Sequence, residues 1–168
     1  MATQTLQYPL INGTKHDFSS IELKIAGQIF IGFKSINYSR TRTRVMVRGN
    51  SPDPIAKTLG TNEYTGECEV YLAEYDYLQS LLVQAAQQSP NLTGPGAGYG
   101  DVFFQVIVTY TDAGFNPVVD TLNGCTLDSL DSSNSQSADP LVRKFNLAPM
   151  KILFNGVDDL NNPLQAPV

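Results

Sequence analysis

The chain has 168 residues, enough for one domain with a sizeable core and too few for two comfortable ones. Its formal net charge is -5, and 42% of its residues are hydrophobic against 16% charged, a composition that leaves room for surface covered by another chain. No apolar run approaches the roughly 20 residues that span a bilayer, and the opening "MATQTLQYPLINGTKHD" lacks the basic-then-apolar order of a signal peptide, so a soluble protein made in a cytoplasm is expected.

Residues 1–19 mix proline, glycine and polar side chains and read as an arm. From Ser20 a period of two sets in: in "SIELKIA", Ile21, Leu23 and Ile25 alternate with Glu22 and Lys24, the pattern of a strand with one buried face. A turn at Ala26 and Gly27 leads into "QIFIGFKSINYS", a second extended stretch placed to pair with the first as a hairpin. Residues 40–48 form a third expected strand, with Arg40, Arg42, Arg44, Met46 and Arg48 on one face and Thr41, Thr43, Val45 and Val47 on the other. Residues 49–62, "GNSPDPIAKTLGTN", hold two prolines and two glycines; they are expected as a long loop and are excluded from a central strand.

Strand character returns in "EYTGECEVYL", with Gly66, Cys68, Val70 and Leu72 on one face and Glu67, Glu69 and Tyr71 on the other, a face opposite in charge to the arginine strand. "AEYDYLQSLLVQAAQQ" has the spacing of a helix, its apolar stripe being Tyr75, Leu78, Leu82 and Ala85. Glu74 and Asp76 suit its first turn and Ser89-Pro90 its end. A glycine-rich loop, "NLTGPGAGYG", precedes the strand "DVFFQVIVTYTD". "VVDTLNGCTLDSL" reads as two short pieces interrupted at Asn123 and Gly124, and a polar loop then separates it from "LVRKFNLAPMKILFNG" and an arm-like tail over residues 157–168. About eight strands and one helix give a mainly β class: an antiparallel β-sandwich or barrel with one flanking α-helix, in a single domain over residues 1–168.

Catalytic chemistry finds little material. The single histidine, His16, lies in the arm beside Asp17 and near Ser19 and Ser20, without the rigid framework that a triad needs. Asp120, Asp128, Asp131 and Asp139 do not match a calcium-loop spacing and read as a solvated acidic face. "GPGAGYG" contains Pro95, lacks a Gly-Lys-Ser/Thr ending and runs into a strand, so it is not a phosphate cradle. Cys68 and Cys125 read as buried free thiols, and the Asn-x-Ser/Thr triplets at Asn12, Asn37 and Asn91 are chance matches without secretion. No catalytic, cofactor-binding or metal-binding residue is assigned. A nucleic-acid grip by the arginines is disfavoured, because the net negative chain opposes a polyanion and no aromatic platform is interleaved with them. Pairing with carboxylates, on a neighbouring strand or across a subunit boundary, is the preferred expectation.

Four stretches of residues also carry a resemblance. "INGTKHDFSSIELKIAGQIFIGFKSINYS" resembles the start of tail tube proteins of contractile-tailed bacteriophages. "GYGDVFFQVIVTYTD", "DTLNGCTLDSLDSSNSQSAD" and "LVRKFNLAPMKILFNG" resemble later parts of that family in the same order, over about residues 10–156 in all. The resemblance implies a phage tail tube-like fold and a virion structural protein without enzymatic activity. Homo-hexameric rings would stack into the hollow tube that conducts DNA from capsid to host, the protein residing in the virion tail after assembly in the host cytoplasm.

Its implied partners are copies of itself, the tail sheath protein, the tape measure protein, baseplate hub or tube initiator and tail terminator proteins. Genomic DNA would pass through the lumen without specific binding, and no membrane is involved. The related alternative is a tube or carrier ring of a type VI secretion or contractile bacteriocin system; a third reading, an enzyme on a β-sandwich, would need His16 or the aspartates to bind something. Within the tube reading, Arg40, Arg42, Arg44, Arg48, Asp53 and Lys57 are candidate inter-subunit or inter-ring contacts, with residues 49–62 as an inter-ring loop. Glu67 and Glu69, with Glu22 behind them, are candidate lumen carboxylates that would repel phosphates weakly, about 0.4 kcal/mol for one pair of charges about 10 Å apart in water.

Overall fold

The computed structural model describes residues 21–50, 52–90, 92, 98–111, 116–132, 134 and 139–157. The arm with His16, Ser19 and Ser20, most of the glycine-rich stretch, Asn12, Asn91 and residues 158–168 lie outside the described residues.

The first strands form as their alternation predicts. β1 (Ile21–Ile25) buries Leu23 and Ile25 and turns through Ala26 and Gly27 into β2 (Gln28–Phe30), with Leu23 opposite Phe30. The second expected stretch divides at Ile31 and Gly32, after which β3 (Phe33–Thr43) pairs antiparallel with β6 (Thr61–Tyr71). The expected arginine strand divides as well. Arg40 and Arg42 belong to β3, the backbone breaks at Arg44 and Val45, and β4 (Met46–Arg48) pairs with β5 (Pro54–Lys57) in a two-stranded ribbon outside the main sheet. Residues 49–62 are therefore not all loop: they contain β5 and the start of β6. Pro54 occupies the first position of β5, where a missing N–H is tolerated, and the ribbon stays clear of any central strand.

The chain continues through α1 (Leu72–Gln88), β7 (Phe104–Tyr110), β8 (Val118–Ser132), β9 (Val142–Ala148) and β10 (Lys151–Leu153). The main sheet runs β2-β1-β7-β8-β9-β6-β3, with β10 also on β8, and all its pairings are antiparallel. β8 corrects an expectation: instead of two pieces it is one 15-residue strand serving both halves of the fold. Its first part pairs with β7 and β10, and Thr126–Ser132 pair with β9. Asn123 and Gly124 still mark a discontinuity, now one of phase. Burial passes from Asp120 and Leu122 to Cys125, one residue out of step, at Gly124 with φ +63°.

The two halves close on one core. Leu23, Ile25, Val106, Val108 and Leu122 face Cys68, Val70, Phe145 and Leu147, and α1 adds Tyr75, Leu78 and Leu82. Tyr75 meets the Phe145 ring at 5.8 Å and Tyr77 meets Phe30 at 6.1 Å. The stripe ends at Leu82, because Ala85 is exposed where the helix outruns the core. Glu74 lies in the first turn, as its charge favours, and the Ser89 N–H closes the last turn on the Ala86 carbonyl.

Candidate assembly surfaces

Alternation along β6 decides which groups reach the outside. Gly66, Cys68 and Val70 point into the core, so Glu67 and Glu69 lie on the outer face of the β8-β9-β6-β3 half, beside Asn37 and Ser39 of β3, Lys144 and Asn146 of β9 and Ser129 of β8. These groups are linked into a polar lattice. Lys144 Nζ lies 2.9 Å from Glu67 and Lys34 Nζ 3.5 Å from Glu69. Asn146 donates to Ser129 Oγ at 2.8 Å, and Ser39 and Thr65 share a hydroxyl hydrogen bond at 2.8 Å.

The hydrogen bond to Glu67 raises the Lys144 ammonium above its ordinary pKa, but the group is solvated and such pairs add little stability. Glu63, Glu67, Glu69 and Asp131 outnumber Lys34 and Lys144 on this face, leaving it acidic but partly neutralised. Asn37, Ser39, Thr65, Glu67, Asp128 and Asn146, with Leu147 among them, line a groove of about 570 Å³ here, whose open, mixed lining is unlike an enclosed apolar ligand pocket.

The same register separates the arginines from these carboxylates. Arg40 stands opposite Tyr64 and Arg42 opposite Asn62, on the face that continues Ile36 and Tyr38, whereas Glu63, Glu67 and Glu69 alternate onto the other face. Of the two expected places for carboxylate partners, a neighbouring strand or another subunit, the Glu67/Glu69 face of β6 is thus ruled out for Arg40 and Arg42. The Arg40 guanidinium instead stands 5.6 Å from the centroid of the Phe154 ring, and Phe154 stacks on Tyr38 at 5.9 Å. Arg42 Nε donates to the Leu59 carbonyl at 2.5 Å, tying the ribbon's return limb to β3.

The other candidates belong to the ribbon. Arg48 Nη1 donates to the Pro52 carbonyl at 3.2 Å, Lys57 stands opposite Met46, and Arg44 and Asp53 are exposed. Gly60, at φ +77° with the Thr43 carbonyl against its Cα, lets the chain turn back into β6. Glu22 stands opposite Thr109 on β1, in the other half of the sheet from Glu67 and Glu69, so the three carboxylates do not form one group.

Two features escaped sequence reasoning. One is polar: buried Asp120 accepts hydrogen bonds from the Tyr38 hydroxyl at 2.5 Å and the Asn155 N–H at 2.8 Å, and Tyr38 also meets the Tyr110 hydroxyl at 2.7 Å. Nothing local in the sequence joins positions 38, 110 and 120. The other is apolar: Val45, Met46, Val47, Ile55 and Leu59 all lie exposed on or beside the ribbon. Their signal was present as hydrophobic residues flanking a proline-broken stretch.

The aspartates expected to share a solvated acidic face are dispersed, with Asp120 in the core and Asp131 opposite Lys144. Among the described residues no three His, Cys, Asp or Glu side chains converge on a metal-sized site, and no helix is long and apolar enough to cross a membrane. Burial pushes the Cys68 and Cys125 thiols up to about 12, so both are poor nucleophiles at neutral pH.

No family model and no curated protein sequence matches the chain. Solved structures do. A chain of the sheath/tube terminator of an extracellular contractile injection system, PVC, in the extended state superposes with a TM-score of 0.61 at 12% identity, covering 89% of this chain and 98% of that one. A chain of the PVC sheath-tube complex in the extended state gives 0.60 at 12% identity, covering 88% and 92%. A chain of the anti-feeding prophage tube terminating cap gives 0.61 at 12% identity, covering 91% and 97%. At this identity the likeness is one of fold: an antiparallel β-sandwich with one flanking helix, shared with chains of contractile tube assemblies.

Proposed function

We propose that the chain is the structural subunit of a hollow tail tube, without catalysis or cofactor, forming homo-hexameric rings that stack and conduct DNA during ejection. One observation carries the reading. The β8-β9-β6-β3 half is a four-stranded antiparallel sheet, closed to solvent on its core face and polar on the other, that ends in β3 on one side and Thr126–Ser132 of β8 on the other. With four strands alternating in direction, β3 of one copy meets β8 of the next antiparallel when copies repeat around an axis. Successive copies then form one continuous closed sheet, and edge strands that would be an aggregation liability in a monomer become joints.

The polar outer face becomes the lumen wall in this arrangement. Glu67 and Glu69 lie on it, but Lys144 and Lys34 offset them, so the wall repels a polyanion weakly and offers it few unpaired cations. The ribbon, with Arg44, Arg48, Asp53 and Lys57, projects beyond β3 and serves contact between rings. Arg40 and Arg42 act inside the subunit at the ribbon's base. Sheath, tape measure, baseplate initiator and terminator proteins are the partners such a tube requires, and the virion tail is its location. The fold likeness to chains of an extracellular contractile injection system favours one alternative, the tube or carrier ring of a type VI secretion or contractile bacteriocin system.

Negative-stain electron microscopy of the purified protein, alone and with its baseplate initiator, tests the reading. Rings or hollow tubes are expected. Arg40→Pro, at a β3 position whose N–H points away from β6, should leave a folded protein that forms no rings; the same rings from that variant would sink the sheet-joining arrangement. Nuclease-protected nucleic acid within particles separates the DNA conduit from the protein carrier.

A further inference from the structure

Asn-Gly occurs three times in the chain, at Asn12, Asn123 and Asn155. This dipeptide is the one most prone to lose its side-chain amide, because glycine, lacking a Cβ, lets its backbone nitrogen swing onto the preceding side chain. Asn12 lies outside the described residues. Asn123 is half-buried in β8, with its side-chain oxygen accepting from Gln105 Nε2 at 2.6 Å and its carbonyl accepting from the Met150 N–H at 3.0 Å. Asn155 is exposed, and no described residue bonds its carboxamide or the Gly156 N–H.

The backbone of Asn155 is nevertheless held. Phe154 and Val157 exchange backbone hydrogen bonds at 3.2 and 3.0 Å around Asn155 (φ +50°) and Gly156 (φ +73°), a type I′ turn. The Asn155 N–H donates to Asp120 Oδ1 at 2.8 Å, and the Phe154 ring lies against Tyr38 at 5.9 Å, with the Arg40 guanidinium 5.6 Å from its centroid. In such a turn ψ at the first central residue is about +30°, which carries the next nitrogen to the side of the Cα–C bond away from Cβ. Closing a ring with the Asn155 side chain needs the Gly156 nitrogen on the Cβ side. The turn must therefore open first, breaking both closing bonds and the Asp120 contact.

We propose that Asn155 is a deamidation site held in check by the Asp120 clamp, and that reaction there releases the clamp for good. In the opened turn the Gly156 nitrogen gives its proton to a solvent base and bonds to Asn155 Cγ; the Cγ–Nδ2 bond breaks and ammonia leaves with a proton from water, giving a succinimide. Water then adds at one of the two ring carbonyls. Opening at Cγ gives aspartate, and opening at the backbone carbonyl gives isoaspartate, whose main chain runs through the former side chain and is one carbon longer. A lengthened tip does not hold the two closing bonds, the N–H to Asp120 and the Phe154 stack together, and either product adds a negative charge to the residue that buried Asp120 holds. The inference does not depend on the tube reading.

Mildly alkaline incubation of the full chain, followed by peptide mass spectrometry and isoaspartyl methyltransferase labelling, tests it. Asn155 should react roughly tenfold or more slowly in folded protein than in urea, and Asp120→Ala should bring its rate toward the unfolded one while leaving Asn123 unchanged. Should Asp120→Ala not fold, Val157→Pro removes one closing bond at an exposed position and should act the same way. Equal rates at Asn155 in folded and unfolded parent, a folded rate that neither variant raises, or a rise shared by Asn123 in both variants overturns the clamp. Protein deamidated at Asn155, separated by its added charge, should melt below the unmodified chain; equal melting overturns the release.

Discussion

The Tyr38 hydroxyl on β3 donates to the buried carboxylate of Asp120 on β8 at 2.5 Å, joining the two halves of the sandwich through a charged group with only 7% of its surface exposed. The second carboxylate oxygen accepts from the Asn155 N–H, so the same residue also fixes the turn after β10. A buried carboxylate is tolerated only with such partners, and removing it strands buried donors. Asp120→Ala should therefore cost about 3 kcal/mol and Asp120→Asn clearly less, since the amide keeps one acceptor. Urea unfolding of dilute protein measures both. Equal stability of Asp120→Ala and the parent would show that the network is ornamental.

Burial first, and the Asp120 hydrogen bond second, push the Tyr38 phenol well above its ordinary value of 10.0. Burial likewise pushes the Cys68 and Cys125 thiols from 9.0 up to about 12. Because the folded values lie above the unfolded ones, this stabilisation is complete below about pH 9 and is lost as pH rises toward the folded values, by up to about 1.4 kcal/mol per pH unit for a buried thiol and by less for the half-buried, solvent-screened Tyr38. Thermal unfolding should thus fall steeply above pH 9, and Tyr38→Phe should lessen the slope above pH 10. A melting temperature flat to pH 11 would contradict the assignment.

Gly124 combines a left-handed backbone with a close neighbour, for a Cβ there would lie 2.9 Å from Met150 Sδ. Gly124→Val should cost at least about 2 kcal/mol, from strain at positive φ and from overpacking. Gly124→Ala with Met150→Ala should recover the collision but not the backbone strain. Stability curves for the single and double variants separate these contributions.

The Lys144–Glu67 pair is solvated, so Lys144→Ala should leave the unfolding midpoint close to that of the parent. That makes it a clean probe of the outer face. In the tube reading Lys144→Ala should still assemble, with a more acidic lumen that retains less polyanion; a collapse of stability would mean that the residue is structural.

Inside the core, Leu78→Ala should cost about 2–5 kcal/mol, because Leu78 is fully buried beneath α1 and the site cannot collapse easily. Retained helicity with a lowered midpoint in circular dichroism is the expected signature.

The sequence by itself determined the local periods. Alternation in residues 21–25 and 64–71 and the 3.6-residue spacing of Tyr75, Leu78 and Leu82 place inward-facing side chains correctly, because spacing along a strand or helix depends only on nearby backbone geometry. It also marked Asn123 and Gly124 as a discontinuity. Tertiary structure decided what each period faces. Carboxylates for the arginine row are open, from sequence, to a neighbouring strand or to another subunit, and the Arg40–Tyr64 register removes the Glu67/Glu69 face by putting the two rows on opposite sides of one strand pair. Register is a non-local quantity, set by which pairing buries Cys68, Val70, Ile36 and Tyr38 together, and a shift of one residue would reverse every face. For the same reason Asp120, read locally as one of several surface aspartates, becomes a buried joint only when β3 folds over β7 and β8 and brings Tyr38 to it, with Tyr110 of β7 bonded to Tyr38 in turn.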